Sequence, residues 1–167
     1  MHCNQQKLMF MEINKKEIQY TTYQSIDELD INMQALIEAS RQASEQAYAP
    51  YSKFKVGAAV LLSNDKIITA NNQENASYPE GLCAERVALF YASSQYPKEK
   101  IRALAIAGNS NPHTTDNLIT PCGGCRQVLA EYESKQQEKI KIFMTGMKGK
   151  IMMVDGIDNL LPFRFEL

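Results

Sequence analysis

Apolar residues come in short runs along this chain, and the spacing within each run separates helices from strands. After Asp30, a good cap residue, Leu36, Ala39, Ala43 and Ala47 recur at the spacing of one helical face, which predicts an amphipathic helix ending before Pro50. "KVGAAVLLS" (55–63) and "KIITANNQ" (66–73), joined by Asn64 and Asp65, predict two strands of a hairpin. "GLCAERVALFYASS" (81–94) predicts a second helix, whose Val87, Leu89, Phe90 and Tyr91 need no explanation beyond packing. "IRALAIAGN" (101–109) is continuously apolar, as expected of a strand covered on both faces.

A polar loop, "NSNPHTTDNL", leads to a third helix over "TPCGGCRQVLAEYES" (120–134), with Thr120 as its cap and Pro121 at its first position. "KIKIFMTG" (139–146) and "KIMMVDG" (150–156) predict late strands, and "IDNLLP" a final turn. This order implies a three-layer α/β domain around a mixed β-sheet of about five strands flanked by helices. Residues 1–29 read as an N-terminal extension, with "EIQYTTYQS" (17–25) as an added strand and Ser25 with Glu28 as a capping box for a short helical turn. Residues 30–167 then form the main domain.

Composition narrows the class without choosing a function. At 167 residues, with 44% hydrophobic and 22% charged, the chain suits one globular domain rather than a disordered or fibrous one. The net charge is -1 and the 18 basic residues are scattered, so no footprint for nucleic acid is present. No apolar run is long enough to cross a bilayer, and "MHCNQQK" lacks the apolar segment of a secretory signal, so a cytoplasmic location is expected. Cysteines 83, 122 and 125 lie in well-patterned sequence, whereas Cys3 reads as a free terminal thiol; in a reducing compartment such a set serves a metal or catalysis more often than disulfides. His2 and His113 read as solvated terminal and loop residues.

Cys122 and Cys125, three apart at a helix start, share one face, and Cys83 also stands at a helix start. Helix N-termini favour thiolates, and three thiolates suit zinc. No fourth protein ligand is evident, and an open position separates a catalytic zinc site from a structural one. Cys83 and Glu85, two apart, converge on a metal only if it sits over the helix end, where Glu85 would work on the bound water as a proton shuttle. Arg86 would offset the thiolates' excess charge. Taken alone, "PCGGC" is equally readable as a structural zinc motif or a redox dithiol, and Glu85 as a solvated helix residue. The two motifs together point to catalytic zinc.

"CAE" followed by "PCGGC" resembles the signature of the zinc-dependent cytidine deaminases. "AYAPYSKFKVGAAV" (47–60), "NNQENASYPEGLCAERVA" (71–88), "TPCGGCRQVLAEY" (120–132) and "LLPFRF" (160–165) match further family blocks in order, and are similar to the short, homotetrameric nucleoside deaminases. The resemblance implies one zinc per subunit on Cys83, Cys122 and Cys125, Glu85 as the catalytic acid and base, and Arg86 as the neutralising cation. It implies substrate-binding roles for Asn72 and Glu74 at the ribose 3′-hydroxyl, Phe54 against the pyrimidine, the Ala84 backbone at the base carbonyl and the Thr120 carbonyl at the 4-amino group. Tyr78 and Phe165 would reach a neighbouring subunit's site. The implied activity is deamination of cytidine and deoxycytidine in pyrimidine salvage. The alternatives are a deaminase of another cytosine nucleoside, such as a blasticidin-type antibiotic, and a non-catalytic zinc-stabilised binding module. Asn71 and Gln73 depart from the family's usual residues, away from the metal and ribose positions.

Overall fold

A computed structural model describes residues 11–109 and 118–166; His2, Cys3 and His113 lie outside them. Among the described residues, six strands form one mixed sheet: β1 (Thr21–Tyr23), β2 (Lys55–Leu62), β3 (Ile67–Asn71), β4 (Ile101–Asn109), β5 (Lys141–Thr145) and β6 (Ile151–Asp155). The spatial order is β1-β6-β5-β4-β2-β3. Only β4 and β5 are paired in parallel, because α3 (Gly123–Gln136) lies between them in the chain. The remaining pairs are antiparallel.

Helix α1 (Ile31–Glu45) covers one face of the sheet, and α2 (Ala84–Gln95) with α3 covers the other. Alternation along the central strands supplies both cores: Leu104 and Ile106 face α2 and α3, while Ala103 and Ala105 face α1. This is the three-layer α/β arrangement expected. The sixth strand is β1, which pairs with β6 through Thr21 and Met153, Thr22 and Met152, and Tyr23 and Ile151. The short 3-10 turn after it, Ile26–Glu28, is capped by Ser25, whose hydroxyl accepts from Asp27 N. Glu28 reaches back to Gln24 N rather than to the cap residue itself.

Two boundaries differ from the sequence reading for physical reasons. In α1 the Asp30 carboxylate accepts from Asn32 N and Met33 N as a cap should. The buried stripe, however, is Met33, Leu36, Ile37, Ser40, Arg41 and Ser44, with Ala39 and Ala43 only at its edge and Ala47 beyond the helix end. Serines can line this face because each hydroxyl bonds its own helix, Ser40 to the Ile37 carbonyl and Ser44 to the Arg41 carbonyl. Close approach of the sheet requires small groups here: a Cβ on Gly57 would lie 2.0 Å from the Ser40 carbonyl oxygen and 2.4 Å from Ser44 N.

The second difference concerns α3, whose cap is Cys122 rather than Thr120. Ile119 N bonds the Thr145 carbonyl at the end of β5, which keeps residues 119–121 extended beside the sheet. The first helical bond then runs from Arg126 N to the Cys122 carbonyl. In the hairpin, Asp65 takes a left-handed φ of 64°, and Asp65 N closes the turn on the Leu62 carbonyl. No helix among the described residues is long and apolar enough to cross a membrane.

Candidate metal centre

Cys83 and Cys122 are the N-caps of α2 and α3, and neither uses its side chain to cap its helix. Both thiols are therefore free at the positive ends of two helices whose cores are anchored in the same apolar layer by Ala88, Leu89, Leu129 and Ala130. Cys125, in the first turn of α3, is fully buried. The sulfurs of Cys83 and Cys122 are 3.8 Å apart, those of Cys122 and Cys125 are 3.5 Å apart, and all three lie within 4.8 Å of one another. Zinc at about 2.3 Å from each sulfur would set tetrahedral edges of roughly 3.8 Å, so the donor set fits that ion closely.

Charge around the sulfurs is organised for a bound cation. The neighbouring Cys125 sulfur, aided by the Arg86 guanidinium, pulls the Cys83 thiol down to about 5 against the opposing effect of burial. The neighbouring Cys83 and burial push Cys125 up, and a bound cation would displace its proton. Arg86 Nη2 donates to Cys83 Sγ at 3.8 Å, and its Nε is buried without a partner among the described residues. Glu85 is only 4% exposed, so it is not a solvated helix residue. Burial, reinforced by the charge at Cys83, holds its carboxyl above the usual carboxylate range, while its own backbone N–H, Cys125 and Arg86 oppose the rise.

The remaining sequence-predicted residues fall into three groups. Ala84 opens α2, so its N–H has no partner inside the helix, and Thr120 lies in the extended approach to Cys122. Asn72, Glu74 and Phe54 meet around the segment before β2. Asn72 Nδ2 donates to the Phe54 carbonyl at 2.9 Å and Asn72 Oδ1 accepts from Val56 N at 2.8 Å. Glu74 accepts from Tyr51 N at 2.9 Å. Asn72 and Glu74 lie just beyond the end of β3, and Gln73 between them bridges Tyr48 and Leu82. Phe54 is half-buried against the core.

Tyr78 is 76% exposed and packs edge-on to Tyr51, with ring centroids 6.0 Å apart. With Ser52, Glu74, Asn75 and Gly81 these rings line an open cavity of about 430 Å³. Phe165 does not join them. It lines a larger concavity of about 670 Å³ between α3 and the tail, with Glu131, Glu138 and Asp158. That concavity holds none of the three sulfurs and none of the polar residues assigned to substrate, so size does not mark the candidate site.

Residues absent from the sequence reading hold the parts in place. Arg126 donates through Nε to the Pro121 carbonyl and through Nη1 to the Leu160 carbonyl, each at 2.8 Å. Gln127 brackets the Phe165 backbone, donating to its carbonyl and accepting from its N–H. Their only signal in the sequence is their position directly after Cys125.

A sequence model of the cytidine and deoxycytidylate deaminase zinc-binding region matches residues 31–141. The chain belongs to this family. It is 38% identical over 135 residues to the cytidine deaminase of Halalkalibacterium halodurans, covering 81% of this chain and 95% of that protein. It is also 38% identical over 136 residues to the cytidine deaminase of Sporosarcina psychrophila, covering 81% and 93%. The crystal structure of cytidine deaminase from Burkholderia pseudomallei superposes with a TM-score of 0.68 at 40% identity, covering 78% of this chain and 97% of that one. The matched region of the family is a zinc-binding one, and Cys83, Cys122 and Cys125 form a potential metal site, one per chain.

Proposed function

We propose that this protein is an enzyme that hydrolytically deaminates cytidine and deoxycytidine to uridine and deoxyuridine, releasing ammonia. The observation that carries this reading is the meeting of three sulfurs at tetrahedral spacing with a buried glutamate one turn-start away, at Glu85. Cys83, Cys122 and Cys125 would hold zinc. When bound, zinc supplies Lewis acidity that brings the ionisation of water toward neutral pH.

Glu85 performs the proton transfers. Its burial raises the carboxyl toward the operating pH, which is where a group that both takes and returns a proton works best. It removes a proton from the attacking water and delivers it to ring N3, which makes C4 electrophilic. The same carboxyl then takes the proton of the hydroxyl newly bonded to C4 and hands it to the 4-amino group, which leaves as ammonia as the C4 carbonyl forms. Arg86 balances the sulfurs' negative charge from the flank of α2.

Substrate placement follows from the other residues. The free N–H of Ala84 donates to the base carbonyl, and the Thr120 carbonyl accepts from the 4-amino group. Phe54 packs on the pyrimidine, and Asn72 with Glu74 takes the ribose 3′-hydroxyl. Tyr78 and Phe165, both largely exposed and lining different cavities, complete sites in neighbouring copies of a cytoplasmic homotetramer serving pyrimidine salvage. Residues 1–29 are an extension to this catalytic domain.

Steady-state rates of the zinc-loaded protein on cytidine, deoxycytidine and a blasticidin-type nucleoside test the assignment. Turnover of the first two supports it; turnover of the antibiotic alone moves the substrate class, and inertness toward all three makes the protein a binding module. Light scattering gives four chains per particle under this reading, and a fully active monomer would refute the shared sites.

A further inference from the structure

Glu74 is held by a short segment ahead of β2. Its Oε2 accepts from Tyr51 N at 2.9 Å and from Ser52 N at 3.2 Å, and its Oε1 accepts from the Ser52 hydroxyl. The same hydroxyl oxygen accepts from Phe54 N at 3.0 Å. Between them Lys53 takes a left-handed φ of 59°, a turn that lets Ser52 address the carboxylate and Phe54 at once. Ser52 thus ties the carboxylate to the backbone of the half-buried aromatic.

Counting hydrogen-bond capacity shows what this leaves for a ligand. An ionised carboxylate accepts at about four positions, and on Glu74 three are taken, which leaves one on Oε1. The Asn72 amide spends one N–H on the Phe54 carbonyl and one lone pair on Val56 N, leaving one N–H donor and one lone pair on Oδ1. The open acceptor position on Glu74 and the open N–H of Asn72, two residues apart in the chain, match a hydroxyl group that donates to Glu74 and accepts from Asn72. The Ser52 bond is also the main influence holding the Glu74 carboxyl below its ordinary range, in keeping with an acceptor that stays ionised.

We propose that Ser52 is a positioning residue for sugar recognition: it fixes the Glu74 carboxylate with one acceptor position open, and so sets the selectivity for a substrate hydroxyl. The proposal rests on the reading in which Asn72 and Glu74 meet the ribose 3′-hydroxyl. Without the Ser52 hydroxyl, Glu74 keeps only the two backbone bonds to its Oε2, its Oε1 is no longer held, and Phe54 N loses its partner.

The test is steady-state kinetics of the full, zinc-loaded chain on cytidine and on 3′-deoxycytidine, for Ser52→Ala, Ser52→Thr and Glu74→Gln. Ser52→Ala is expected to raise KM for cytidine roughly tenfold with kcat within about twofold, because one charge-assisted bond in ground-state binding is weakened. KM for 3′-deoxycytidine should move less than about twofold, and Ser52→Thr, which keeps the hydroxyl, should restore cytidine binding. Equal losses on both substrates would reduce Ser52 to a turn residue and overturn the proposal. Should Glu74→Gln lose selectivity for the 3′-hydroxyl while Ser52→Ala keeps it, the Ser52 role falls and the ribose reading stands. Should Glu74→Gln leave that selectivity intact, both fall.

Discussion

Cys83 and Cys122 occupy equivalent places on two different helices, each the residue before the first turn, and their sulfurs stand 3.8 Å apart. That symmetry brings two helix ends together at one thiol-lined pocket. Cys125, buried one turn into α3, closes its third side.

Removal of any one of these thiols leaves two donors, too few to retain the ion against water. Cys83→Ala, Cys122→Ala and Cys125→Ala should each bring bound zinc from about one per chain to well below half, measured by elemental analysis after gel filtration. A chelator should render three further thiols per wild-type chain open to alkylation. Full zinc content in all three variants would mean that the ion sits elsewhere.

Glu133 gives a pH prediction away from the metal. Its Oε1 accepts from Ile140 N at 2.8 Å and Ile157 N at 3.0 Å, tying α3 to the start of β5 and to the turn after β6. Burial raises its carboxyl above the ordinary range, more than its two backbone bonds and Arg164 lower it. The native state therefore keeps a proton that the unfolded chain, titrating at about 4.3, has lost, and stability falls as pH rises through the interval between the two values. Glu133→Gln keeps an oxygen for both N–H groups and should flatten that fall, giving equal or greater stability at neutral pH. Glu133→Ala strands both donors and should cost about 2–4 kcal/mol in denaturant unfolding. Identical pH profiles for wild type and Glu133→Gln would show that the group titrates normally.

Much of this arrangement was legible beforehand because it depends on local spacing. The spacing puts Cys83, Glu85, Arg86, Cys122 and Cys125 near helix starts, which is where the structure has them. What local spacing could not supply was the competition of tertiary contacts. Thr120 followed by Pro121 has the chemistry of a cap, yet the bond from Ile119 N to the Thr145 carbonyl keeps that stretch extended and passes the cap to Cys122. The inward face of α1 departs from the Leu36, Ala39, Ala43 and Ala47 stripe because Ser40 and Ser44 bond their hydroxyls within the helix and so can be buried. Ser52 carried no signal, since its partner Glu74 lies 22 residues further along the chain.

The N-terminal extension makes a contribution that truncation should reveal. β1 covers the outer edge of β6, Tyr23, Ile26 and Leu29 pack beneath α1, Lys16 Nζ donates to the Pro162 carbonyl at 2.8 Å and Gln19 N donates to Asn159 Oδ1. A chain beginning at residue 30 should keep zinc and turnover per folded molecule, because none of the described residues ahead of it bonds to the three sulfurs or to Glu85. It should melt several degrees lower and self-associate through the bared β6 edge, as seen by calorimetry and light scattering. Loss of zinc in a truncated chain that still folds would make the extension part of the catalytic unit.

In the proposed reaction Glu85 moves protons at a zinc held by Cys83, Cys122 and Cys125. The most direct test is the ultraviolet absorbance of cytidine after addition of zinc-loaded wild-type protein and of zinc-loaded Glu85→Gln at equal metal content. The wild type should remove the absorbance of the 4-amino pyrimidine with release of one ammonia per nucleoside, and Glu85→Gln, folded and zinc-replete, should be slower by at least about a thousandfold. Near-normal turnover by Glu85→Gln, or no change in absorbance with the wild type, would contradict the account.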